Sequence, residues 1–258
     1  MEDWGQVTRD ISDWISDYAQ RNGLEALVVG VSGGVDSAVT STLTAMTEIR
    51  TIVVNMPIHQ DEAQYDLSNL HIEWLLSKWR NVERAKIDLS NTFDELCSDL
   101  DGHIVTELSL ANTRARLRMT ALFAIAGSNN GIVVGTGNKV EDFGIGFFTK
   151  YGDGGVDISP IADLFKSDVY SIGEELGVIS EVLDAAPTDG LWNDGRTDED
   201  QIGATYEEIE WAMKESAKPS SRDLSERERK VLDIYQRLNK SNSHKMDPIP
   251  VFKLYPDD

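Results

Sequence analysis

Ala26-Leu27-Val28-Val29-Gly30-Val31-Ser32-Gly33-Gly34-Val35-Asp36-Ser37 is the stretch on which the fold turns. Its first six residues are a short apolar run of the kind found in a strand buried on both faces. Gly33-Gly34 then allows a sharp turn and a close approach of backbone to a ligand. Ala38 to Met46 reads as a helix. A strand that passes through glycines into a helix start aims several backbone N–H groups at one point, where an anion is favoured. Ser32 and Ser37 add hydroxyl donors. Asp36 is out of place beside phosphate unless a divalent cation such as Mg²⁺ bridges the two. The plain alternative is a Gly-Gly turn with a Ser/Asp helix cap. Strand, glycines, acid and both serines in this order favour the phosphate site. A Gly-Lys-Ser/Thr sequence is missing, so this is not a Walker loop.

Outward from that loop, apolar strands alternate with helices. Val7, Ile11, Trp14, Ile15 and Tyr18 fall on one face of an N-terminal helix that Gly23 ends. Thr51 to Val54 reads as a second strand, Asp61 to Lys78 as a helix and Val82 to Leu89 as a weaker third strand. A long helix spans Glu107 to Ala126, and Gly131 to Gly135 is a fourth strand. Leu117 to Ala126 is apolar on almost every side, the pattern of a central buried helix. The alternation predicts a parallel sheet covered on both faces, with ligands at the carboxyl ends of its strands. Ala204 to Lys214 and Ser225 to Lys240 read as further helices. Pro187 to Gly203 and Asn239 to Pro250 are irregular, as linkers or mobile lids.

The 258 residues suffice for one large α/β domain or two small ones. The chain has no apolar run of eighteen residues and no secretory signal at its start, so no membrane partner is expected. Cys97 is the only cysteine. That excludes intrachain disulfides and Cys-x-x-Cys metal sites and fits a cytoplasmic protein. The formal net charge of −21 makes nucleic acid a poor partner. ATP is an anion too, so a locally basic site must override the global field.

The loop Ser32 to Ser37 resembles the SGGxDS signature of the ATP pyrophosphatases, which cleave ATP between the α and β phosphates. Four further segments narrow the resemblance: Gly135-Thr136-Gly137-Asn138-Lys139-Val140-Glu141, Phe147 to Asp157, Asn112 to Met119, and His244-Lys245 before Pro248. Together they are similar to the ammonia-dependent NAD synthetases over nearly the whole chain. The resemblance implies a doubly wound, Rossmann-like α/β sheet flanked by helices, of the adenine nucleotide alpha-hydrolase type. It implies a single synthetase domain over 1–258 and a homodimer. The implied reaction joins deamido-NAD, ATP and ammonia, through an adenylated carboxylate, to give NAD, AMP and pyrophosphate. Gly30 to Ser37 (Gly30, Val31, Ser32, Gly33, Gly34, Val35, Asp36, Ser37) would bind ATP together with Thr136, Lys166 and Thr188. Asp36 and Glu141 would hold Mg²⁺. Arg116, Lys150, Asp157, His244 and Lys245 would bind deamido-NAD. Asp36, Lys166 and Asp157 would carry the catalysis, and Asp157 would either orient the nicotinate end or deprotonate ammonium.

Each assignment has a plainer reading. Arg116 fits a structural ion pair, Glu141 a helix-start carboxylate, and Asp153 and Asp157 turn residues beside glycine. His59, His71 and His103 show no metal-ligand spacing and read as structural, and Cys97 as a packing residue. A glutaminase needs a catalytic thiolate and its own fold, for which no residues remain, so free ammonia or ammonia from another protein is the expected donor. Two departures from the family pattern stand out. Val35 replaces a common glutamine at a position facing away from phosphate. Phe143 to Gly146 makes the stretch before the aromatic pair one residue longer than usual.

Overall fold

The computed structural model describes residues 2–60, 62–103, 105–188 and 197–254. Helix α1 (Trp4–Arg21), capped by the Asp3 carboxylate on the Gln6 amide, leads into strand β1 (Ala26–Gly30). Helix α2 (Val35–Met46), β2 (Arg50–Asn55), α3 (Glu62–Lys78), β3 (Val82–Lys86), α4 (Ser90–Asp99), α5 (Glu107–Ser128) and β4 (Gly131–Val133) follow. All pairings are parallel, in the order β3-β2-β1-β4. β1 therefore has a neighbour on each side and carries its loop out of the middle of the sheet. β3 lies at the edge, and its Glu83, Arg84 and Lys86 explain why its apolar pattern is weak.

Alternation along β1 sorts the two faces. Leu27 and Val29 join Ile15 of α1 and Val35, Val39 and Leu43 of α2 in one core. Ala26 and Val28 join Ile52, Val54 and Val133 under Met119, Leu122 and Ala126 of α5. The sheet is thus doubly wound, and thirteen-plus-nine buried apolar residues in these two cores are the main hydrophobic term holding β1 in place. α5 does not behave as a central helix. It buries Ala111, Met119, Leu122 and Ala126 on one side and leaves Leu108 and Phe123 57% and 42% exposed on the other. Part of its apolar sequence therefore stays on the surface of this chain.

After β4, Val134 bridges to Ile158, and the chain enters a π-helix, Val140–Ile145. A π-turn is what one extra residue in a helix produces, so the longer stretch before Phe147 is accommodated there. Asn239 and Asn242 donate to the carbonyls of Gly144 and Ile145. Gly146 ends the turn at φ +63, where a Cβ would meet the Asn242 Cβ at 2.5 Å. Then come α6 (Lys166–Glu175), α7 (Ser180–Leu183), α8 (Asp198–Ile202), α9 (Tyr206–Ala217) and α10 (Glu226–Met246). α8, α9, α10 and the π-helix share a separate apolar cluster of Val140, Ile145, Ile202, Tyr206, Ile209 and Val231. α10 runs six residues past the expected end, so His244 and Lys245 lie in its last turn rather than in an irregular tail. In the expected lid Pro187 to Gly203, residues 189–196 lie outside the described residues.

Candidate functional site

The carboxyl ends of β1 and β4, the start of α2, the middle of α5, the π-helix and the end of α10 wall one cavity of about 670 Å³. Gly30 to Ser37, Thr136, Glu141, Lys166 and Thr188 line it, together with Arg116, Lys150, His244 and Lys245. Among the described residues of the sequence-predicted site, Asp157 is the one that does not.

At the loop end, Gly33 takes φ +97, and a Cβ there would meet the Gln64 carbonyl at 2.8 Å. Only glycine lets α3 close over the loop this tightly. The Ser32 and Ser37 hydroxyls lie 3.1 Å apart, and Ser37 Oγ donates to the Gly34 carbonyl at 2.9 Å. The loop is therefore shaped by its own hydrogen bonds. Val35 turns into the core. α2 starts directly on this turn, so the amides of its first residues have no partner within the helix and are available to an anion.

Lys166 is the centre of the site. It is 3% exposed, and its Nζ donates to Asp36 Oδ2 at 2.5 Å and to Glu141 Oε1 at 2.9 Å. Asn138, fully buried, fixes both acids. Its amide donates to Asp36 Oδ1 at 3.0 Å, and its carbonyl accepts the Val140 and Glu141 amides. Burial raises the Asp36 carboxyl above its ordinary range, against the pull of Lys166. Burial pushes Glu141 the same way, but the Lys166 charge and the Tyr206 hydroxyl outweigh it and hold the group low. Burial opposes the ammonium of Lys166, and its two carboxylates overcome that and hold it above the ordinary lysine value.

The ammonium is itself a cation lodged between two hard oxygen donors, so the pair suits a divalent cation. Among the described residues no group of three or more His, Cys, Asp or Glu side chains gathers as a metal site. Mg²⁺ bound through two carboxylates takes its remaining ligands from phosphates and water, and this donor set fits that habit.

The other end of the cavity is basic. Arg116 donates to the Lys150 carbonyl at 3.2 Å, Lys150 Nζ to the His244 carbonyl at 2.6 Å, and Lys245 Nζ to the Phe148 carbonyl at 2.7 Å. Arg116 thus pairs with a carbonyl here rather than with the carboxylate its plainer reading called for. Arg118 donates to the Met56 carbonyl at 2.9 Å, and burial next to Arg114 lowers its pKa to about 10. Sequence reading missed Arg118 as a lining residue, although its place one turn from Arg114 was visible. These side chains are the local positive field that an anionic substrate requires in so acidic a protein.

Between the two ends stand Asp142 and Asp153. Burial, beside the charges of Glu141, Asp153 and Asp36, pushes Asp142 up to about 8. Protein packed around its carboxyl raises Asp153 to about 6, against the Thr149 amide that the carboxylate accepts at 3.1 Å, while the residue stays exposed towards the cavity it lines. Asp157 is not among the residues that line this chain's cavity. Its carboxylate accepts the Val133 amide at 2.7 Å, so it splints β4 at the sheet margin, exposed and away from this chain's cavity. Asp153 stands between Gly152 and Gly154 and Asp157 between Val156 and Ile158, and the order alone does not say which of them faces the cavity. His71 is structural: fully buried, with Nε2 3.0 Å from Ser41 Oγ, and lowered by burial to about 4. His59 pairs with Asp94, and Cys97 is half-buried.

The comparisons agree with this geometry. The family model described as NAD synthase matches residues 7–248. An NH(3)-dependent NAD(+) synthetase of Alkaliphilus metalliredigens is 37% identical over 92% of this chain and 94% of its own length. One from Methanosarcina acetivorans is 31% identical over 98% of this chain and all of its own. Among solved structures, an NMN synthetase from Francisella tularensis superposes with a TM-score of 0.87 at 30% identity, over 99% of this chain and 100% of that one.

Proposed function

The chain belongs to the NAD synthase family, and we infer that its cavity performs the ammonia-dependent reaction of that family. The enzyme is a C–N bond-forming ligase that amidates deamido-NAD with ammonia at the expense of ATP. The observation that carries this reading is the meeting, in one cavity, of a phosphate loop with two acids at one end and a basic cluster at the other. ATP lies with its phosphates on the loop amides and Lys166, with Thr136 and Thr188 along it. The nicotinate nucleotide lies towards Arg116, Lys150, His244 and Lys245.

The substrate carboxylate is the nucleophile. It attacks the α-phosphorus, pyrophosphate leaves, and ammonia displaces AMP from the mixed anhydride. The protein's part is positioning and charge neutralisation. Lys166 and the loop N–H groups face the leaving pyrophosphate. Asp36 and Glu141 would hold Mg²⁺, which would supply charge neutralisation at the phosphates. Ammonia at neutral pH is mostly ammonium, and Asp153, raised to about 6 at the cavity wall, is placed and tuned to take its proton. This reading gives to Asp153 the proton transfer that was one of the two roles the resemblance implied for Asp157.

The reading includes a cytoplasmic homodimer in which a second copy covers the exposed side of α5. Among the described residues no helix is long and apolar enough to cross a membrane.

The match to an NMN synthetase favours a second reading, in which the acceptor is the mononucleotide. AMP release measured with deamido-NAD and with nicotinate mononucleotide, each with ATP and ammonium, separates the two. Turnover with deamido-NAD supports the first reading. Turnover confined to the mononucleotide establishes the second, and turnover with neither overturns both. Glutamine in place of ammonium should give no product.

A further inference from the structure

We propose that Tyr206 is the positioning residue of the cation site, through which α9 sets the orientation of Glu141. Tyr206 is the first residue of α9 and is 5% exposed. Its hydroxyl donates to Glu141 Oε1 at 2.6 Å, the same oxygen that receives Lys166 Nζ, and Asp198 Oδ2 lies 3.2 Å away. Its ring centroid lies 4.7 Å from Lys166 Nζ. One side chain therefore touches both the acid expected to hold the cation and the ammonium that faces the phosphates. It does so from a helix whose core is separate from that of the sheet.

A second contact from α9 supports the same role. Helix α6 begins with Lys166, and the residue before it, Phe165, has no side-chain oxygen to accept an amide hydrogen. Asp168 reaches back to the Phe165 amide. Glu210, one turn after Tyr206, takes the Ser167 amide at 2.9 Å and the Ser167 hydroxyl at 2.7 Å. The start of α6 is thus capped by α9, and Lys166 is held between the two contacts. The i, i+4 spacing puts Tyr206 and Glu210 on one face of the helix. Partners that hydrogen-bond a metal-binding carboxylate fix its direction, and losing one weakens metal binding roughly 10–100-fold.

The inference rests on the reading that Asp36 and Glu141 hold the cation, and the test keeps the two apart. Tyr206→Phe keeps the ring over Lys166 and removes only the hydroxyl. Mn²⁺ binding to the full-length enzyme is measured by calorimetry in the presence of α,β-methylene-ATP. Steady-state kinetics give the Mg²⁺ concentration for half-maximal rate and the KM for deamido-NAD. The expected result is Mn²⁺ affinity lower by about 10-fold, a matching rise in the Mg²⁺ requirement, and a nucleotide KM within about 2-fold. The melting temperature should stay within a few degrees. Unchanged Mn²⁺ affinity overturns the proposal. A large fall in melting temperature with all parameters moving together also overturns it, because that is the signature of a merely structural tyrosine. Asp36→Asn is the control. If it leaves Mn²⁺ affinity intact, the assignment of the cation site fails, whatever Tyr206 does. If it weakens Mn²⁺ binding while Tyr206→Phe does not, only the role of Tyr206 falls.

Discussion

The two ends of the cavity are built on different principles. The loop end is internally bonded. Lys166, Asp36, Glu141 and Asn138 satisfy one another, and Gly33 is pinned under α3. The basic end is open, and its cations rest on backbone carbonyls at Lys150, His244 and Phe148. A cation on a carbonyl is held in place without being neutralised, so its charge remains available to a substrate anion. A carboxylate partner would have cancelled it. On the proposed function this contrast is a division of labour: one end pre-organises a charge-rich transition state, and the other retains free charge for binding.

The sharpest attempt to break this contrast is Asp36→Asn. Turnover should fall about 1000-fold while the KM for the nicotinate nucleotide stays within a few-fold. A change confined to KM would mean that the loop end binds rather than catalyses. Asp153→Asn probes the wall between the two ends, and about a 100-fold loss of kcat is expected. The base form is required and its carboxyl is raised to about 6. Activity in the wild type should therefore fall as pH drops through about 6, and the variant should lose that limb. A variant that keeps both the limb and the rate removes Asp153 from proton transfer.

Arg116→Ala tests the other end. KM for the nicotinate nucleotide should rise about 10-fold with kcat little changed, the pattern of a lost binding contact. An unchanged KM would make Arg116 a strut for the Lys150 carbonyl. Phe123→Asp places a charge on the exposed side of α5. Sedimentation should show a monomer in place of a dimer, and an unaltered dimer would put the contact elsewhere. The smallest effect is that of salt. Raising ionic strength should lower kcat/KM only about 2–5-fold as it screens the basic end. A rise would mean that the overall charge of −21 governs capture.

Much of the sheet was legible because its signals are local. The apolar runs at Ala26–Val31, Thr51–Val54 and Gly131–Val134 need no partner to be read as strands. Gly33-Gly34 with Asp36 and the two serines, set between a strand and a helix, points to an anion site. Helix α6 was missed because its cap comes from Glu210, forty-three residues away, rather than from the residue before Lys166. α10 was cut short because its last polar turns look like a tail until Asn239 and Asn242 are seen bonded to the π-helix. The π-turn itself appeared only as one residue too many.

The amino-acid order by itself determined the alternating α/β architecture, the phosphate loop and the family, since these rest on short-range periodicity and on motifs a few residues long. Tertiary structure alone decided that Lys166 lies between Asp36 and Glu141, that Tyr206 steadies the pair, and that Asp153 rather than Asp157 faces this chain's cavity. Each of those facts depends on burial and on partners from distant segments. A carboxylate's role is set by what surrounds it, and its neighbours in sequence do not record that.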